Sequence, residues 1–372
     1  MTFIKYGVKN RIFCLTAFLL FSVSWAYGQT FRQGKYGADF LSVGGGARPL
    51  GMGSAYAAIT NDVTAGYWNP AGLARIKDIE VAYMHSERFS GIVGYDYGAV
   101  ALPLQTSDGV LAVSFFRQGV DGIKNTLAVW NPQSGNSIPD PTTQFPQFSD
   151  NDYAFYISYS KPIMKSLAWG ATVKVLHSKI GPFANAWGYS LDFGLKYHFR
   201  GFELGTNLMN IPTLFKFWQV NRKALEKLTL LNNDLPKGQD EIVMPTLKIG
   251  IGRPFSFYHD NLKLIAAVDA DFHFDNRRTY YINLGRTSVE PHVGAELNYK
   301  GHIALRVGVT DFTTDRSSRV FVSPTLGAGI TIGMVHIDYG FASFSGITKD
   351  LGSTNRISMR IFLNKKHKKK TR

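Results

Sequence analysis

The sequence predicts an all-β protein, a 14-stranded antiparallel transmembrane β-barrel with an N-terminal hatch segment in its lumen. Three observations predict this fold class. Segments of about 9 to 13 residues alternate apolar with polar or small side chains, and a tilted strand needs about that length to cross a bilayer. Aromatic residues stand at the ends of the apolar faces. Short connections alternate with longer ones, as in outer-membrane barrels.

Residues 1–28 are predicted to form a cleaved signal peptide. Three basic residues precede an apolar run at 12–25, and residues 26–28 have the small-x-small form of a cleavage site. The run is too short to span a bilayer permanently, so a retained anchor is the less favoured alternative. The only cysteine, Cys14, lies in this segment. We therefore expect no disulfide, cysteine-bound metal or thiol nucleophile in the mature chain.

Residues 29–78 do not alternate and are predicted to form the hatch, a plug within the lumen. The segment is rich in glycine and alanine and poor in charge. Two glycine clusters, at 44–46 and 51–53, could be taken for a nucleotide loop, but no strand leads into them and no GK[ST] follows. Glycine instead permits tight turns and close approach of two backbones.

Residues 79–363 are predicted to form the barrel. An even number of strands places both chain ends on the periplasmic side, with the short turns, and leaves the long connections 119–151 and 212–244 on the opposite side. A secreted protein of two β-sandwich domains is the alternative, because sandwich strands also alternate. The fourteen alternating segments lie near 79–87, 91–102, 110–118, 152–160, 167–178, 186–199, 202–211, 245–255, 262–274, 289–299, 302–311, 323–333, 334–343 and 354–363.

The charge of the chain is concentrated at its two ends. The formal net charge of +14 comes from 41 basic and 27 acidic residues, but three basic residues fall in the signal peptide and six in the last eight positions. The remainder carries only about +5 without a patch, which argues against nucleic-acid binding. Residues 364–372 are predicted to be a solvated, basic periplasmic tail, with contact to an acidic partner as the alternative.

Charged residues on the predicted inward faces are interpreted as a network that anchors the hatch. A substrate site is the alternative, and Asp269 with Asp271 could also imitate a catalytic acid pair, but paired charges in a lumen usually hydrate the pore wall or bind the hatch. The sequence contains no HExxH, no HxH with a carboxylate at ligand spacing and no GxSxG. We therefore expect no enzyme activity, no metal and no cofactor. The lumen candidates are Asp192, Lys196, Asp269, Asp271, Glu296 and Arg306.

The two long connections contain aromatic residues that are candidates for contact with a partner or an apolar ligand. The alternative is that the loops pack on each other and cover the barrel. The second connection also holds a short helix-like piece at 221–231. The contact candidates are Trp130, Phe145, Phe148, Phe217 and Trp218.

Residues 46–74 carry a resemblance to a known family and read GARPLGMGSAYAAITNDVTAGYWNPAGLA. This stretch resembles the N-terminal signature of the PorV/PorQ family, within the superfamily of the fatty-acid transporter FadL. The resemblance continues at 204–212, 245–255 and 291–312. It implies a 14-stranded barrel with a hatch. By this resemblance, the residues of the hatch motif are Arg48, Gly51, Met52, Gly53, Asp62, Asn69, Pro70, Ala71 and Gly72.

The resemblance also implies a function in the outer membrane of Bacteroidota. The protein would be a non-enzymatic component or cargo-docking accessory of type IX secretion. Its partners would be outer-membrane lipid, secretion subunits and secreted cargo proteins. The alternative is a FadL-like channel that takes up a hydrophobic small-molecule ligand. A purely structural or receptor barrel stays open as a third hypothesis.

Overall fold

The computed structural model describes residues 38–105, 107–129, 144–231, 234–259, 261–275, 282–314, 319–343 and 352–363. The predicted signal peptide, the basic tail and Trp130 lie outside these residues. No helix in the described ranges is long and apolar enough to cross a membrane. The helices are short: 3-10 helices at Asp39–Val43, Pro70–Arg75 and Arg222–Leu231, and α-helices at Ala47–Gly51, Ala65–Trp68 and Thr126–Val129.

Within the described ranges, sixteen strands form a single antiparallel sheet, and two of them, β8 and β11, are only three residues long. The strands are β1 Ile79–Arg88, β2 Val93–Pro103, β3 Val110–Lys124, β4 Gln147–Met164, β5 Leu167–Ile180, β6 Ala184–Phe199, β7 Phe202–Val220, β8 Glu241–Val243, β9 Thr246–Phe257, β10 Leu262–His273, β11 Ile282–Leu284, β12 Thr287–Tyr299, β13 Ile303–Thr314, β14 Val320–Ile332, β15 Val335–Ser343 and β16 Ser353–Leu363.

The fourteen long strands close into a barrel. Each pairs with the next long strand along the chain, β10 pairs with β12 around the short β11, and β16 returns to pair with β1. Ile79 at the start of β1 lies opposite Leu363 at the end of β16. Closure leaves no unpaired sheet edge, which a strand protein needs in hydrocarbon. The predicted 14-stranded antiparallel barrel is thereby confirmed.

Strand β6 shows which face of the wall is apolar. Trp187, Tyr189 and Leu191 are 53%, 56% and 49% exposed, whereas the alternating Asp192 and Lys196 are 2% and 4% exposed. Large apolar side chains therefore point outward, where a soluble domain would carry polar groups. The charged side chains point inward, as the period of two requires.

The two ends of the barrel differ in the length of their connections. At one end, called the short-turn end, the connections are 104–109, 165–166, 200–201, 258–261, 300–302 and 333–334. At the other, the long-loop end, they include 125–146, 221–245 and 274–286. The predicted asymmetry is therefore present, although two predicted loops are shorter than expected.

The strands next to these two loops extend further than the sequence predicted. Strand β3 continues to Lys124, β4 already begins at Gln147, and β7 continues to Val220. Phe148, Phe217 and Trp218 consequently belong to strand ends, not to loops. The prediction ended β7 at 211 because the chain bulges there, which interrupts the period-two pattern although the strand resumes.

Candidate functional site

Residues 38–78, called the N-terminal segment, pack against the inward side chains of the barrel. Arg48 makes the most extensive contact: Nε donates to Glu296 Oε2 at 2.7 Å and Nη2 donates to Glu296 Oε1 at 2.9 Å. Arg306 Nε donates to the same Oε2 at 2.6 Å. Glu296 is 3% exposed. Two guanidinium groups therefore compensate one buried carboxylate, as a buried charge requires.

Asp62 forms a second charged contact between the segment and the wall. Arg360 Nη1 donates to Asp62 Oδ2 at 2.9 Å, and Arg48 Nη1 lies 3.6 Å from the same oxygen. Tyr56 Oη donates to Asp62 Oδ2 at 2.7 Å. Burial alone would raise the pKa of Asp62, but Arg360, Arg48 and hydrogen bonds from Thr64 and Tyr56 hold that pKa well below its usual range.

Two further predicted lumen residues bind backbone groups of the segment. Asp269 Oδ2 accepts from Tyr56 N–H at 2.7 Å and from Ala57 N–H at 2.6 Å. Lys196 Nζ donates to the carbonyl of Thr60 at 2.6 Å. These contacts satisfy backbone donors and an acceptor of the irregular stretch between the helices Ala47–Gly51 and Ala65–Trp68. Asp269 and Asp271 therefore bind different groups: Asp269 binds the backbone of the segment, whereas Asp271 pairs with Lys248.

Glycines allow the two backbones to touch. Gly53 has φ of 60°, and a Cβ there would lie 2.6 Å from the backbone nitrogen of Val309. On the opposing strand β12, a Cβ at Gly294 would overlap the carbonyl of Met52. The predicted Gly51-Met52-Gly53 motif therefore lies directly against strands β12 and β13, which explains its glycines without a nucleotide.

The Asn69-Pro70-Ala71-Gly72 motif forms the N-terminal end of the 3-10 helix Pro70–Arg75. Asn69 Oδ1 accepts from Ala71 N–H at 3.1 Å, and its Nδ2 donates to the carbonyls of Ala57 at 2.9 Å and Leu195 at 3.2 Å. One side chain thus caps the helix and joins two parts of the segment to strand β6. The predicted motif residues are brought together, and their role in transport or secretion stays a prediction.

A cavity of about 390 Å³ lies between the N-terminal segment and the long-loop end. Tyr67 and Trp68 of the segment and Tyr156 of β4 form its aromatic part, and Leu41 and Val43 add apolar surface. Its charged part is formed by side chains from the segment and from strands β1, β5, β9, β10, β12 and β13. These are Asp39, Arg88, Lys174, Lys248, Asp271, His273, Glu290, His292 and Asp311.

The barrel wall beside the cavity is irregular. Met209 pairs with Thr246 of β9, and Leu214 pairs with Val243 of β8. The four β7 residues 210–213 therefore lie opposite only two residues, 244 and 245. Strand β7 is also irregular toward β6. Asn210 has φ of 59°, its amide N–H donates to Asp192 Oδ1 at 2.8 Å, and it lines the cavity. The continuous backbone ladder is thus replaced at this place by a bulge held by side chains.

Asp192 belongs to the support of this bulge and not to the anchor of the N-terminal segment. Its Oδ1 lies 2.8 Å from Lys174 Nζ, and both side chains are 1% exposed. Lys174 Nζ also donates to Asn210 Oδ1 at 2.5 Å. The predicted lumen residues therefore divide into two groups: Lys196, Asp269, Glu296 and Arg306 on the segment side, and Asp192 and Asp271 on the cavity side.

The described aromatic contact candidates pack on neighbours near the long-loop end. Phe148 lies edge-on to Phe183 with ring centroids 5.2 Å apart, and Phe217 stacks on Tyr189 at 6.3 Å. Lys124 Nζ lies over the ring of Phe145 at 5.6 Å, and Lys216 Nζ lies over that of Trp218 at 4.6 Å. Phe217 points outward beside another aromatic ring, a position typical of an interfacial aromatic belt. A role in partner contact stays a prediction.

The sequence interpretation missed the histidines of the cavity. His273 follows Asp271 by two positions on β10, and His292 follows Glu290 by two positions on β12. Residues two apart on a strand share a face. A search for carboxylate-x-histidine on successive strands would therefore have found this cluster.

The closed wall, its outward apolar belt and its charged interior define a β-barrel of the outer-membrane type. Solved structures with this fold include the CymD monoaromatic hydrocarbon channel, with a TM-score of 0.57 and 12% identity over 87% of this chain and 98% of that chain. The Ralstonia pickettii toluene transporter TbuX has a TM-score of 0.53 and 14% identity, over 86% of this chain and 99% of that chain. The Pseudomonas putida toluene transporter TodX has a TM-score of 0.51 and 12% identity, over 86% and 97%.

At such identities the likeness shows the fold alone. No family model matches the chain, and no curated protein sequence matches it significantly. No comparison therefore supports the resemblance to the PorV/PorQ family in particular, or an origin in Bacteroidota. Type IX secretion stays a prediction without support.

Proposed function

We propose that this protein is a non-enzymatic outer-membrane channel that binds small hydrophobic molecules and passes them across the membrane. The observation that carries the proposal is the cavity beside the bulge of β7. The cavity is large enough for a small aromatic molecule, and Tyr67, Trp68 and Tyr156 offer ring surfaces to it. Its charged side would contact a polar substituent on those ligands that carry one.

The N-terminal segment is proposed to act as the hatch of this channel. It forms one side of the cavity through residues such as Leu41, Tyr67 and Trp68. Its buried contacts with Glu296, Arg360 and Asp269 hold it against the wall. A ligand that enters at the long-loop end would therefore be stopped in the lumen by the N-terminal segment, which is held firmly against the wall.

We place the exit of the ligand at the β7 bulge. The backbone ladder between β7 and its neighbours β8 and β9 is interrupted at 210–213, and Met209, Asn210, Val243 and Thr246 around that interruption all line the cavity. Opening the wall here breaks fewer backbone hydrogen bonds than opening it between two fully paired strands. The hydrophobic ligand would leave sideways into the bilayer.

The fold neighbours support this proposal over secretion. The three solved structures are described as a monoaromatic hydrocarbon channel and two toluene transporters. Nothing comparable supports contact with secretion subunits or secreted cargo. The proposal therefore favours the alternative raised by the sequence.

Filling the cavity tests whether the ligand occupies it. Ala342 is 2% exposed and lines the cavity, whereas Ala295 lies on the outward face of β12. Uptake of radiolabelled toluene is measured in cells that carry the protein in their outer membrane. We expect Ala342→Phe to reduce uptake at least about fivefold and Ala295→Phe, the matched control, to leave it unchanged. Equal uptake by both variants and the parent would contradict a route through the cavity.

Locking the wall tests the sideways exit. Leu214 and Val243 are directly paired residues of β7 and β8, so Leu214→Cys with Val243→Cys can form a disulfide across the bulge. The control is Ala82→Cys with Ala99→Cys, a paired position in the regular β1–β2 wall. We expect oxidation to stop uptake only in the first protein and a reductant to restore it. Normal uptake by the oxidised first protein would exclude this exit.

A further inference from the structure

We propose that Asp271, Glu290 and His292 form a binding site for a divalent transition-metal ion such as Zn²⁺ in the wall of the cavity. One donor atom from each side chain can be chosen so that all three lie within 4.8 Å of one another. All three residues face the cavity. The site goes beyond the proposed transport function and is independent of any hydrophobic ligand.

The ring of His292 is arranged as in metal-binding histidines. Its Nδ1 lies 3.1 Å from the carbonyl oxygen of Gly53 and 2.9 Å from Thr310 Oγ1. Because a carbonyl only accepts, Nδ1 carries a proton, so Nε2 is the ring nitrogen that can ligate an ion once its own proton is lost. A histidine that ligates a metal characteristically donates its other ring nitrogen in this manner.

The Nε2 atom of His292 is buried and makes no hydrogen bond. The residue is 3% exposed, and its Nε2 points toward the two carboxylates. A buried polar atom without a partner is uncommon and calls for an explanation, of which an ion is one. This atom is the observation, separate from the cluster itself, that indicates a ligand.

The distances fit a tetrahedral ion better than a hydrogen-bonded pair. Nε2 lies 3.4 Å from Asp271 Oδ2 and 3.9 Å from Glu290 Oε1. Two donors that each lie about 2.0–2.2 Å from a tetrahedral zinc are about 3.3–3.6 Å apart. A hydrogen bond would bring the atoms to about 2.7–3.2 Å. A small movement of Glu290 would complete three of the four tetrahedral coordination positions. The fourth position would be open to the cavity.

Neighbouring side chains position the ligands. His273 Nε2 lies 3.3 Å from Glu290 Oε2, the oxygen that the proposed ion does not use. Lys248 Nζ contacts Asp271 Oδ2, the same oxygen that faces His292, and partly neutralises the cluster in the absence of metal, so a bound ion would displace this ammonium group. Asp271 and Glu290 are direct partners in the β10–β12 pairing, so the two strands fix their separation. Two carboxylates with one imidazole suit Zn²⁺, Co²⁺ or Mn²⁺ better than a soft ion such as Cu⁺.

The proposal is tested by calorimetric titration of chelator-treated full-length protein with ZnCl₂ in detergent. We expect one equivalent of Zn²⁺ to bind. His292→Gln should weaken the affinity at least about 100-fold and Glu290→Gln at least about 10-fold. His336→Gln is the matched control, because His336 also lies on the inner wall beside a carboxylate, with Nε2 3.0 Å from Asp338, but outside the cluster. The control should bind like the parent.

Folding is verified for each variant by the heat-dependent mobility of the barrel on gels. If His292→Gln does not fold, Glu290→Gln decides the question. Failure of the parent to bind Zn²⁺, Co²⁺ or Mn²⁺, or equal binding by the parent and the folded ligand variants, would overturn the proposal. Neither result depends on toluene uptake, so the site and the transport function can fail separately.

Discussion

Glu296→Gln should loosen the N-terminal segment from the barrel wall by several kcal/mol. Glu296 accepts two hydrogen bonds from Arg48 and one from Arg306, at 2.6–2.9 Å. Glutamine keeps the volume but removes the charge, which leaves Arg48 with Asp62, 3.6 Å away, as its remaining carboxylate, while Arg306 keeps its ion pair with Asp338. Removal of one partner from a buried ion pair costs about 3–5 kcal/mol. Because 1.36 kcal/mol is a factor of ten, opening of the segment should become about 10²- to 10⁴-fold more frequent.

Alkylation of an introduced thiol measures that opening. The cysteine-free mature chain, which the predicted cleavage would leave, permits a single reporter, and Val63→Cys places it at a position of the segment that is 0% exposed. When reclosing is fast, the alkylation rate is proportional to the population of the open form. The rate is compared in Val63→Cys alone and together with Glu296→Gln.

Glu203→Gln is the matched control. It makes the same substitution in another Arg–Glu contact between segment and wall, Arg75 Nη2 to Glu203 Oε2 at 3.0 Å, but the Arg75 side chain is 45% exposed. An exposed pair contributes about 0–1 kcal/mol, so the rate should rise at most about fivefold. If Glu296→Gln and Glu203→Gln accelerate alkylation equally, burial of the Glu296 contact does not hold the segment, and the reasoning fails.

Two further predictions concern the same contact surface. Because the folded pKa of Asp62 lies below its ordinary value of 3.8, the stabilisation that Asp62 gives is present above that pH and is lost as the pH falls toward the folded pKa. Hydrogen exchange of peptides from 47–75, corrected for the intrinsic rate, should accelerate below about pH 3.8 in the parent and accelerate less in Asp62→Asn, where Glu296 and Asp269 still bind the segment. An identical profile in both would contradict the role of Asp62. Gly294→Ala should overlap the carbonyl of Met52 and raise the alkylation rate of the Val63→Cys reporter about 5- to 150-fold, for about 1–3 kcal/mol of overpacking. Gly94→Ala, where no atom lies within 4 Å of the added carbon, should have little effect. Similar rates in the two variants would argue against close approach at Gly294.

The barrel could be predicted because its signal is local and repeated. Alternation within each strand depends only on neighbouring residues, and fourteen such strands reinforce one another. The loop boundaries could not be predicted as well, because the bulge near Asn210 shifts the alternation and hides the continuation of β7. Phe217 and Trp218 were therefore placed in a loop although they lie in a strand.

The partners of the segment and the composition of the cavity required the fold. Arg48 and Glu296 are 248 positions apart, and the sequence around each residue gives no indication that it contacts the other. The sequence indicated charged inward faces but not which charges would meet the segment. The metal cluster was missed because the search looked for ligands within one strand, whereas Asp271 and His292 come from two strands that pair side by side.

The N-terminal segment and the proposed metal site are connected by one atom. The carbonyl of Gly53, which lies against the wall, is the acceptor that orients Nδ1 of His292. If the segment opens, His292 Nδ1 loses this acceptor and keeps only Thr310 Oγ1, so the metal ligand is held less firmly. Binding of Zn²⁺ should therefore favour the closed segment, and closure should favour Zn²⁺ by the same factor, because coupling between two equilibria is reciprocal.

This coupling gives a quantitative test. Saturating Zn²⁺ should slow alkylation of the Val63→Cys reporter, and Glu296→Gln, which opens the segment, should weaken Zn²⁺ binding once the open form is well populated. His292→Gln should abolish the effect of Zn²⁺ on alkylation, while His336→Gln should retain it. Zn²⁺ that binds stoichiometrically yet leaves the alkylation rate unchanged would show that Gly53 does not transmit the state of the segment to His292. The metal site would then be a property of the β10–β12 wall alone.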